Sequence, residues 1–256
     1  FVGIKFLTDF GSGSTADAIE AIDYARKAGV DIMSNSWGGG AFSQALEEAI
    51  QKANQEGIAF VAAAGNSSSD TDTSPHYPSN YDVENVISVA ATNSSDHLAS
   101  FSSYGSQSVH VAAPGRNILS TTKNGEYDVF SGTSMAAPHV SGALGLLIAH
   151  EGRLPMAELK ERLMATSDPV SSVRRKTISG GRLNAHNLLT DTRPQRNRPD
   201  PDEWETVALD QVWESQHPYV ENFEDERKFS VAGAKFMRVV ITKYDTEVHY
   251  DYLAVR

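Results

Sequence analysis

The sequence contains no cysteine among its 256 residues. Neither a disulfide framework nor a thiolate metal site can therefore form. Long apolar runs are also lacking: the best, Val140 to Ala149, is about half of the roughly 20 residues that span a bilayer. Basic clusters are scarce, since the net charge is −11 and only residues 174–176 bring three bases together. We therefore expect no membrane span and no nucleic-acid partner.

The apolar residues that are present follow the pattern of an α/β domain. FVGIKFL, VDIMSNS, IAFVAAA and NVISVAAT are rich in β-formers, and two segments with helical spacing lie between them. These helices are predicted to begin after Ser14 and Ser43 and to end at Gly29 and Gly57. The alternation predicts a parallel sheet covered by helices on both faces, a three-layer α/β fold.

The remaining chain divides into three further parts. Asn124-Gly125 predicts a hairpin, and helices are predicted up to about Ile148, after Pro155 and over GGRLNAHNLL. Residues 1–190 thus form the predicted α/β domain, and the proline-rich, charged residues 191–203 form a linker. Residues 204–256 alternate apolar and polar positions, which predicts an all-β unit.

The segment GTSMAAPHV places Ser134 between a small-residue turn and an apolar helix. A hydroxyl there lies near helix N–H groups that favour a developing oxyanion, so Ser134 is a candidate nucleophile. The alternative is an ordinary helix N-cap. Ala136 stands where the G-x-S-x-G elbow has its last glycine, so that motif is not matched.

Two glycine-containing segments follow predicted strands. AAAGN ends in Asn66, whose amide could donate to an oxyanion at the carboxyl edge of the sheet. NSWGGG, residues 35–40, has consecutive glycines that permit close backbone approach. The alternatives are an ordinary turn for the first segment and a loose connector for the second.

A third segment, GSGSTA, matches the dinucleotide fingerprint G-x-G-x-x-A. Four residues separate its first glycine from the preceding strand, whereas a phosphate-binding turn follows its strand directly. The next strand ends at Asn35 without an acid for the ribose. These two features argue against a nucleotide-dependent enzyme.

NSWGGG, AAAGN and GTSMAAPHVSG, taken in this order, resemble the subtilisin-like serine proteases, or subtilases, from about Phe1 to Leu189. The resemblance implies peptide-bond hydrolysis, with Ser134 as the nucleophile and Asn66 as the oxyanion donor. No cofactor is then required for the chemistry. The implied substrate-binding residues are Ser12 and Gly13 in an edge segment that pairs with extended peptide, and two walls of a specificity pocket, Ser36, Trp37 and Gly38 opposite Ala63, Ala64 and Gly65.

The family also needs an aspartate in a D-[ST]-G turn and a histidine in an H-G-T-H-type motif, and neither motif occurs here. His139 lies about 140° around the helix from Ser134, so it faces away. Asp9 precedes Phe10 instead of the expected Ser/Thr-Gly. We therefore expect a segment that starts after the histidine motif, nearly inert without the missing N-terminal part of the same polypeptide.

KYDTE followed by YDYL resembles the first half of a CUB-like β-sandwich, here truncated. Such domains often hold calcium near acids placed like Glu247 and Asp251, although solvated acids at strand ends are the alternative. For the complete protein, the resemblance implies calcium as a structural ion and an extracellular, secreted location. No metal site can be assigned from the sequence.

Two functional hypotheses remain from the sequence. The first is a serine endopeptidase that acts on peptides or proteins. The second is a catalytically dead subtilase-like scaffold that binds proteins. For the endopeptidase, the small Gly38 and Gly65 predict an open pocket for large apolar side chains, with its far wall in the loop from Ser67 to Tyr81.

Overall fold

A computed structural model of the chain describes residues 1–195. Most of the predicted linker and the whole predicted β unit, residues 204–256, lie outside the described residues. The helices of the described part are α1 (Thr15–Lys27), α2 (Gln44–Gln55), α3 (Thr133–Glu151), α4 (Met156–Ala165) and α5 (Ala185–Thr190). Its strands are β1 (Ile32–Asn35), β2 (Ala59–Ala63), β3 (Val86–Thr92), β4 (Val111–Pro114), β5 (Ile118–Thr121), β6 (Tyr127–Phe130), β7 (Asp168–Pro169) and β8 (Gly181–Arg182).

Six of these strands form one sheet in the order β1-β2-β3-β4-β8-β7. Strands β1 to β4 are parallel, with Asn35 opposite Ala62 and Ala63 opposite Val89. Strand β8 continues the parallel pairing, and only β7 runs antiparallel at its edge. The carboxyl ends of β1 and β2 therefore lie side by side, which is where a parallel sheet places its functional loops.

Helices cover both faces of this sheet because the strands are apolar on both sides. Alternate residues of β2, such as Ala59 and Val61, pack in one core with α3, α4 and α5. The intervening Phe60 and Ala62 pack in a second core with α1 and α2. The predicted three-layer α/β fold is confirmed.

Local signals located most of these elements. Ser14 and Asp17 form the expected capping box at α1, and Ser43 caps α2 through the N–H of Leu46. The Asn124-Gly125 turn joins β5 to β6 as an antiparallel hairpin. Two elements differ from the prediction, however.

The segment FVGIKFL is not a strand: no strand is assigned within residues 1–14. A strand needs a neighbour for its N–H and C=O groups, and the described part of the sheet ends at β1. The ring of Phe6 instead packs edge-on against Trp37, with ring centroids 5.1 Å apart. The predicted helix over GGRLNAHNLL is also shorter, since β8 takes its first residues and Asn184 caps α5.

Candidate active site

The loop after β1 and the first turn of α3 are joined by two reciprocal hydrogen bonds. Ser36 Oγ donates to the carbonyl oxygen of Ser134 over 2.7 Å, and Ser134 Oγ donates to the carbonyl oxygen of Ser36 over 3.2 Å. These bonds hold the candidate nucleophile beside the strand ends, 98 residues along the chain from Ser36.

Ser134 is the second residue of α3, and Gly132 is the N-cap. The N-cap alternative for Ser134 is therefore wrong, because its hydroxyl donates across to another segment and caps no helix N–H. The first backbone N–H groups of a helix lack intrahelical partners. The N–H of Thr133 donates to Asn66 Oδ1 and that of Met135 donates to the Gly132 carbonyl. The half-buried hydroxyl of Ser134 therefore lies beside its own backbone N–H, which is the group left to donate to an oxyanion.

The side-chain amide of Asn66 has its orientation fixed by Thr133. Asn66 Oδ1 accepts from the backbone N–H of Thr133 at 2.9 Å and from Thr133 Oγ1 at 3.0 Å. Thr133 Oγ1 in turn accepts from the N–H of Gly65 at 3.2 Å. Because the carbonyl end of the amide is occupied, the Nδ2 end is left to donate. It lies 3.6 Å from the position that a Cβ on Gly132 would occupy.

Sequence reasoning missed Thr133 as a site residue. It is fully buried and sits directly before the candidate nucleophile. Its adjacency to Ser134 was the one available signal, but a threonine at the start of a helix usually serves the helix itself. Only the folded chain brings Asn66 to it, 67 residues away.

None of the histidines within residues 1–195 is hydrogen-bonded to Ser134 Oγ, which donates to a backbone carbonyl. His139 lies one turn beyond Met135 on α3, and its Nδ1 donates to the Met135 carbonyl at 2.8 Å. The prediction that His139 is not the base agrees with this contact. His76 and His110 bind Ser79 and the backbone of Ser88 respectively.

The two predicted pocket walls do face each other, but a side chain lies between them. A Cβ built on Gly38 would be 2.3 Å from Cε1 of His76, and one built on Gly65 would be 3.2 Å from its Cδ2. The imidazole therefore occupies the space that small residues were expected to leave open. The expectation of an open pocket for large apolar side chains is wrong, because the loop from Ser67 to Tyr81 folds back into it.

Residues 2–201 match the family model described as the subtilase family. The chain belongs to the subtilase family. Among relatives, subtilisin DY of Bacillus licheniformis is 41% identical over 64% of this chain and 59% of its own length. Thermitase of Thermoactinomyces vulgaris is 39% identical over 73% of this chain and 64% of its own length. Subtilisin-like protease 2 of Plasmodium falciparum is 35% identical over 75% of this chain.

This subtilase spans only part of the length of those relatives, from 15% of the Plasmodium protein to 64% of thermitase.

Two solved structures are similar to this chain in fold. A cold-adapted subtilisin-like serine proteinase matches with a TM-score of 0.60 and 34% identity, over 70% of this chain and 63% of that one. The prenylagaramide maturation protease PagA matches with a TM-score of 0.60 and 28% identity, over 70% and 68%.

The other predicted substrate-binding residues of the subtilase differ in exposure. Trp37 is half-buried and its Nε1 donates to Asn35 Oδ1 at 3.1 Å, whereas Ala63 and Ala64 are buried. Ser12 and Gly13 lie in an exposed loop before α1, where the N–H of Thr8 donates to the Ser12 carbonyl at 2.7 Å. Their role as a peptide-pairing edge stays a prediction.

Within the described residues, no group of three or more His, Cys, Asp or Glu side chains could hold a metal ion. The acids that the CUB-like resemblance singled out, Glu247 and Asp251, lie outside this part of the subtilase. In the same part, no helix has both the length and the apolar character to cross a membrane.

Proposed function

We propose that this chain is the nucleophile-bearing part of a serine endopeptidase. Ser134 Oγ attacks the scissile carbonyl of a peptide or protein substrate and forms an acyl-enzyme, which water then hydrolyses. Asn66 Nδ2 and the backbone N–H of Ser134 donate to the oxyanion of the tetrahedral intermediate.

The observation that carries this proposal is the amide orientation of Asn66. A side-chain amide in a turn is normally free to rotate, but here both Thr133 donors hold the Oδ1 end. The donor end is thereby preset before substrate arrives, and a preset donor is what stabilises developing charge without reorganisation. An ordinary turn would not need two donors on one amide oxygen.

The proton transfers require a base, and the family's D-[ST]-G and H-G-T-H motifs are absent from the 256 residues. We propose that a histidine and an aspartate from another part of the same polypeptide supply it. The histidine takes the Ser134 proton during attack and returns it to the leaving amine. The isolated chain is then nearly inactive.

The remaining features of the proposed enzyme rest on the family and on composition. We propose a secreted, extracellular protein with no cofactor needed for chemistry and with calcium as a structural ion of the complete protein. Residues 204–256 are proposed to be a partial CUB-like β unit joined through the linker at residues 191–203. Glycines such as Gly11 and Gly13 then serve peptide backbone and not phosphate.

The test is peptide hydrolysis by the complete gene product, with Ser134→Ala and Asn66→Ala as variants. In subtilisin, loss of the serine lowers kcat by about 10⁶ and loss of the oxyanion asparagine by about 10²–10³. We expect the same order here, with KM little changed for Asn66→Ala. Unchanged hydrolysis in Ser134→Ala would contradict the proposal.

The second candidate is the scaffold without catalysis. It is favoured by the contact of Ser134 Oγ, which is bonded to the Ser36 carbonyl and to no histidine of residues 1–195. A fluorophosphonate probe separates the candidates, because only an activated serine is labelled. Labelling of the complete protein that is lost in Ser134→Ala supports the peptidase, and absence of labelling supports the scaffold.

A further inference from the structure

The imidazole of His76 is wedged between the two walls of the cleft beside Ser134. Its Cε1–Nε2 edge abuts Gly38, where a Cβ would lie 2.3 and 2.7 Å from those atoms. Its Cδ2–Cγ edge abuts Gly65, where a Cβ would lie 3.2 and 3.3 Å away. Gly38 could not carry a side chain with the ring in this place, and a Cβ on Gly65 would be in tight contact with it, so the ring fits closely between the two glycines.

Hydrogen bonds fix which ring nitrogen carries the proton. Ser79 Oγ donates its one proton to the carbonyl oxygen of His76 at 2.8 Å, so it can only accept from His76 Nδ1, which lies 3.0 Å away. In the neutral ring Nδ1 is then the protonated nitrogen and Nε2 is an acceptor. Burial lowers the pKa of His76, which keeps the ring neutral at neutral pH.

The loop that carries His76 is tied down on both sides. Asn80 Oδ1 accepts from the backbone N–H of His76 at 3.2 Å, and Asn80 Nδ2 donates to the Thr71 carbonyl at 2.8 Å. The N–H of Gly39 donates to the Tyr77 carbonyl at 2.8 Å, which joins the loop to the opposite wall.

A carboxylate anchors the far part of the same loop. Asp72 accepts from the backbone N–H groups of Gln107 and Ser108 at 2.9–3.1 Å and from two serine hydroxyls, those of Ser106 and Ser108, at 3.0 and 2.6 Å. With these ties, the loop cannot move away from the cleft without breaking several hydrogen bonds, and the ring itself is held by its bond to Ser79 Oγ.

We propose that His76 forms the floor of the primary specificity pocket and restricts it to small side chains, with Nε2 as an acceptor for those that donate a hydrogen bond. The substrates are then peptides with alanine, serine or asparagine before the scissile bond, and aromatic residues are excluded. This inference rests on the proposed function for its biological meaning, but the pocket can be tested without catalysis.

The test measures peptide binding to the complete protein carrying Ser134→Ala, so that no hydrolysis is needed. The probes are acetyl-Ala-Ala-Pro-Ala and acetyl-Ala-Ala-Pro-Phe with free carboxyl ends, and calorimetry gives their Kd values. We expect the alanine peptide to bind at least about 10-fold more tightly, the order that one misfitting side chain produces in a pocket. Adding His76→Ala should reverse this preference.

His186→Ala is the matched control, because His186 is exposed on α5 and its ring has no part in the cleft. It should keep the preference for alanine. The NMR signal of the His76 Cε1 proton should move when the alanine peptide binds. The proposal is overturned if the ratio of the Kd values of the two peptides is the same before and after His76→Ala. It is also overturned if neither peptide binds.

Catalysis is assayed separately with the unmodified serine. If wild-type protein binds the alanine peptide selectively but hydrolyses nothing, the proposed function fails while the pocket assignment stands. If it hydrolyses phenylalanine and alanine substrates with equal kcat/KM before and after His76→Ala, the pocket assignment fails and the peptidase stands.

Discussion

At the scale of single residues, the site depends on a buried threonine that touches no substrate in the proposed mechanism. Thr133 Oγ1 donates to Asn66 Oδ1 and accepts from the N–H of Gly65. One hydroxyl therefore holds both the oxyanion donor and the adjoining pocket wall. Thr133 is a positioning residue, since it acts through Asn66.

Replacing Thr133 by valine keeps its shape and removes both bonds. A buried polar group left without a partner costs about 1–3 kcal/mol. At about 1.4 kcal/mol per tenfold change in rate, kcat of the complete protein should fall by roughly 5- to 150-fold with KM little changed. Thr133→Ser retains the hydroxyl and should restore most of the rate. Steady-state kinetics of the three proteins decide this, and equal losses in both variants would contradict the positioning role.

At the scale of elements, the three helices on one face of the sheet converge on Arg162. This α4 side chain is 8% exposed, and its guanidinium makes two bonds to Glu151 of α3 at 2.6 and 2.8 Å. It also donates to the carbonyls of Leu188 and Leu189 in α5 at 2.9 and 3.1 Å. The planar guanidinium thus joins α4 to acceptors on both α3 and α5 at once. A lysine, with a single ammonium group, could not make the same set of bonds.

Arg162→Ala should destabilise the protein, because it removes the buried donors of the Leu188 and Leu189 carbonyls. A buried acceptor left without its partner costs about 1–3 kcal/mol, whereas the exposed carboxylate of Glu151 regains water. Arg193→Ala is the control: its pair with Glu161 is half exposed, so its loss should be much smaller. Urea unfolding measures both, and similar losses would refute the argument.

At the scale of the whole molecule, a buried histidine ties global stability to pH. His110 lies directly before β4, and its Nδ1 accepts from the N–H of Ser88 at 2.9 Å. Burial, and secondarily the positive charge of Lys160, lower the pKa of His110 from 6.5 to about 3. The folded state therefore holds this ring neutral where the unfolded chain would bind a proton.

The free energy of unfolding should be unaffected by His110 above pH 6.5 and should fall as the pH drops toward 3. Each unit in this window corresponds to about 1.4 kcal/mol, so about 2 kcal/mol is lost between pH 6.5 and 5. His110→Asn keeps an acceptor for Ser88 and cannot titrate. Urea unfolding of the complete protein at several pH values measures this. The free energy of unfolding should fall less steeply with decreasing pH in the variant, and equal slopes would show that His110 is not the cause.

The sequence alone predicted the layered α/β architecture and most helix starts. Short-range signals carry this information: alternation of apolar runs, a capping box at Ser14 and an Asn-Gly turn are each decided within a few residues. The prediction of a strand failed for FVGIKFL, because residues with high β-propensity form a strand only beside a partner strand. Composition cannot say whether that partner is present.

The sequence by itself also marked Ser134 and Asn66, since each lies at a strand end or helix start that local patterns locate. The tertiary structure alone decided what surrounds them. Thr133 reaches Asn66 across 67 residues, and the ring of His76 comes to lie between Gly38 and Gly65. Such contacts depend on how distant loops fold over the sheet edge, and no local pattern encodes them. The sequence therefore predicted an open pocket, whereas in the folded chain the His76 ring fills it.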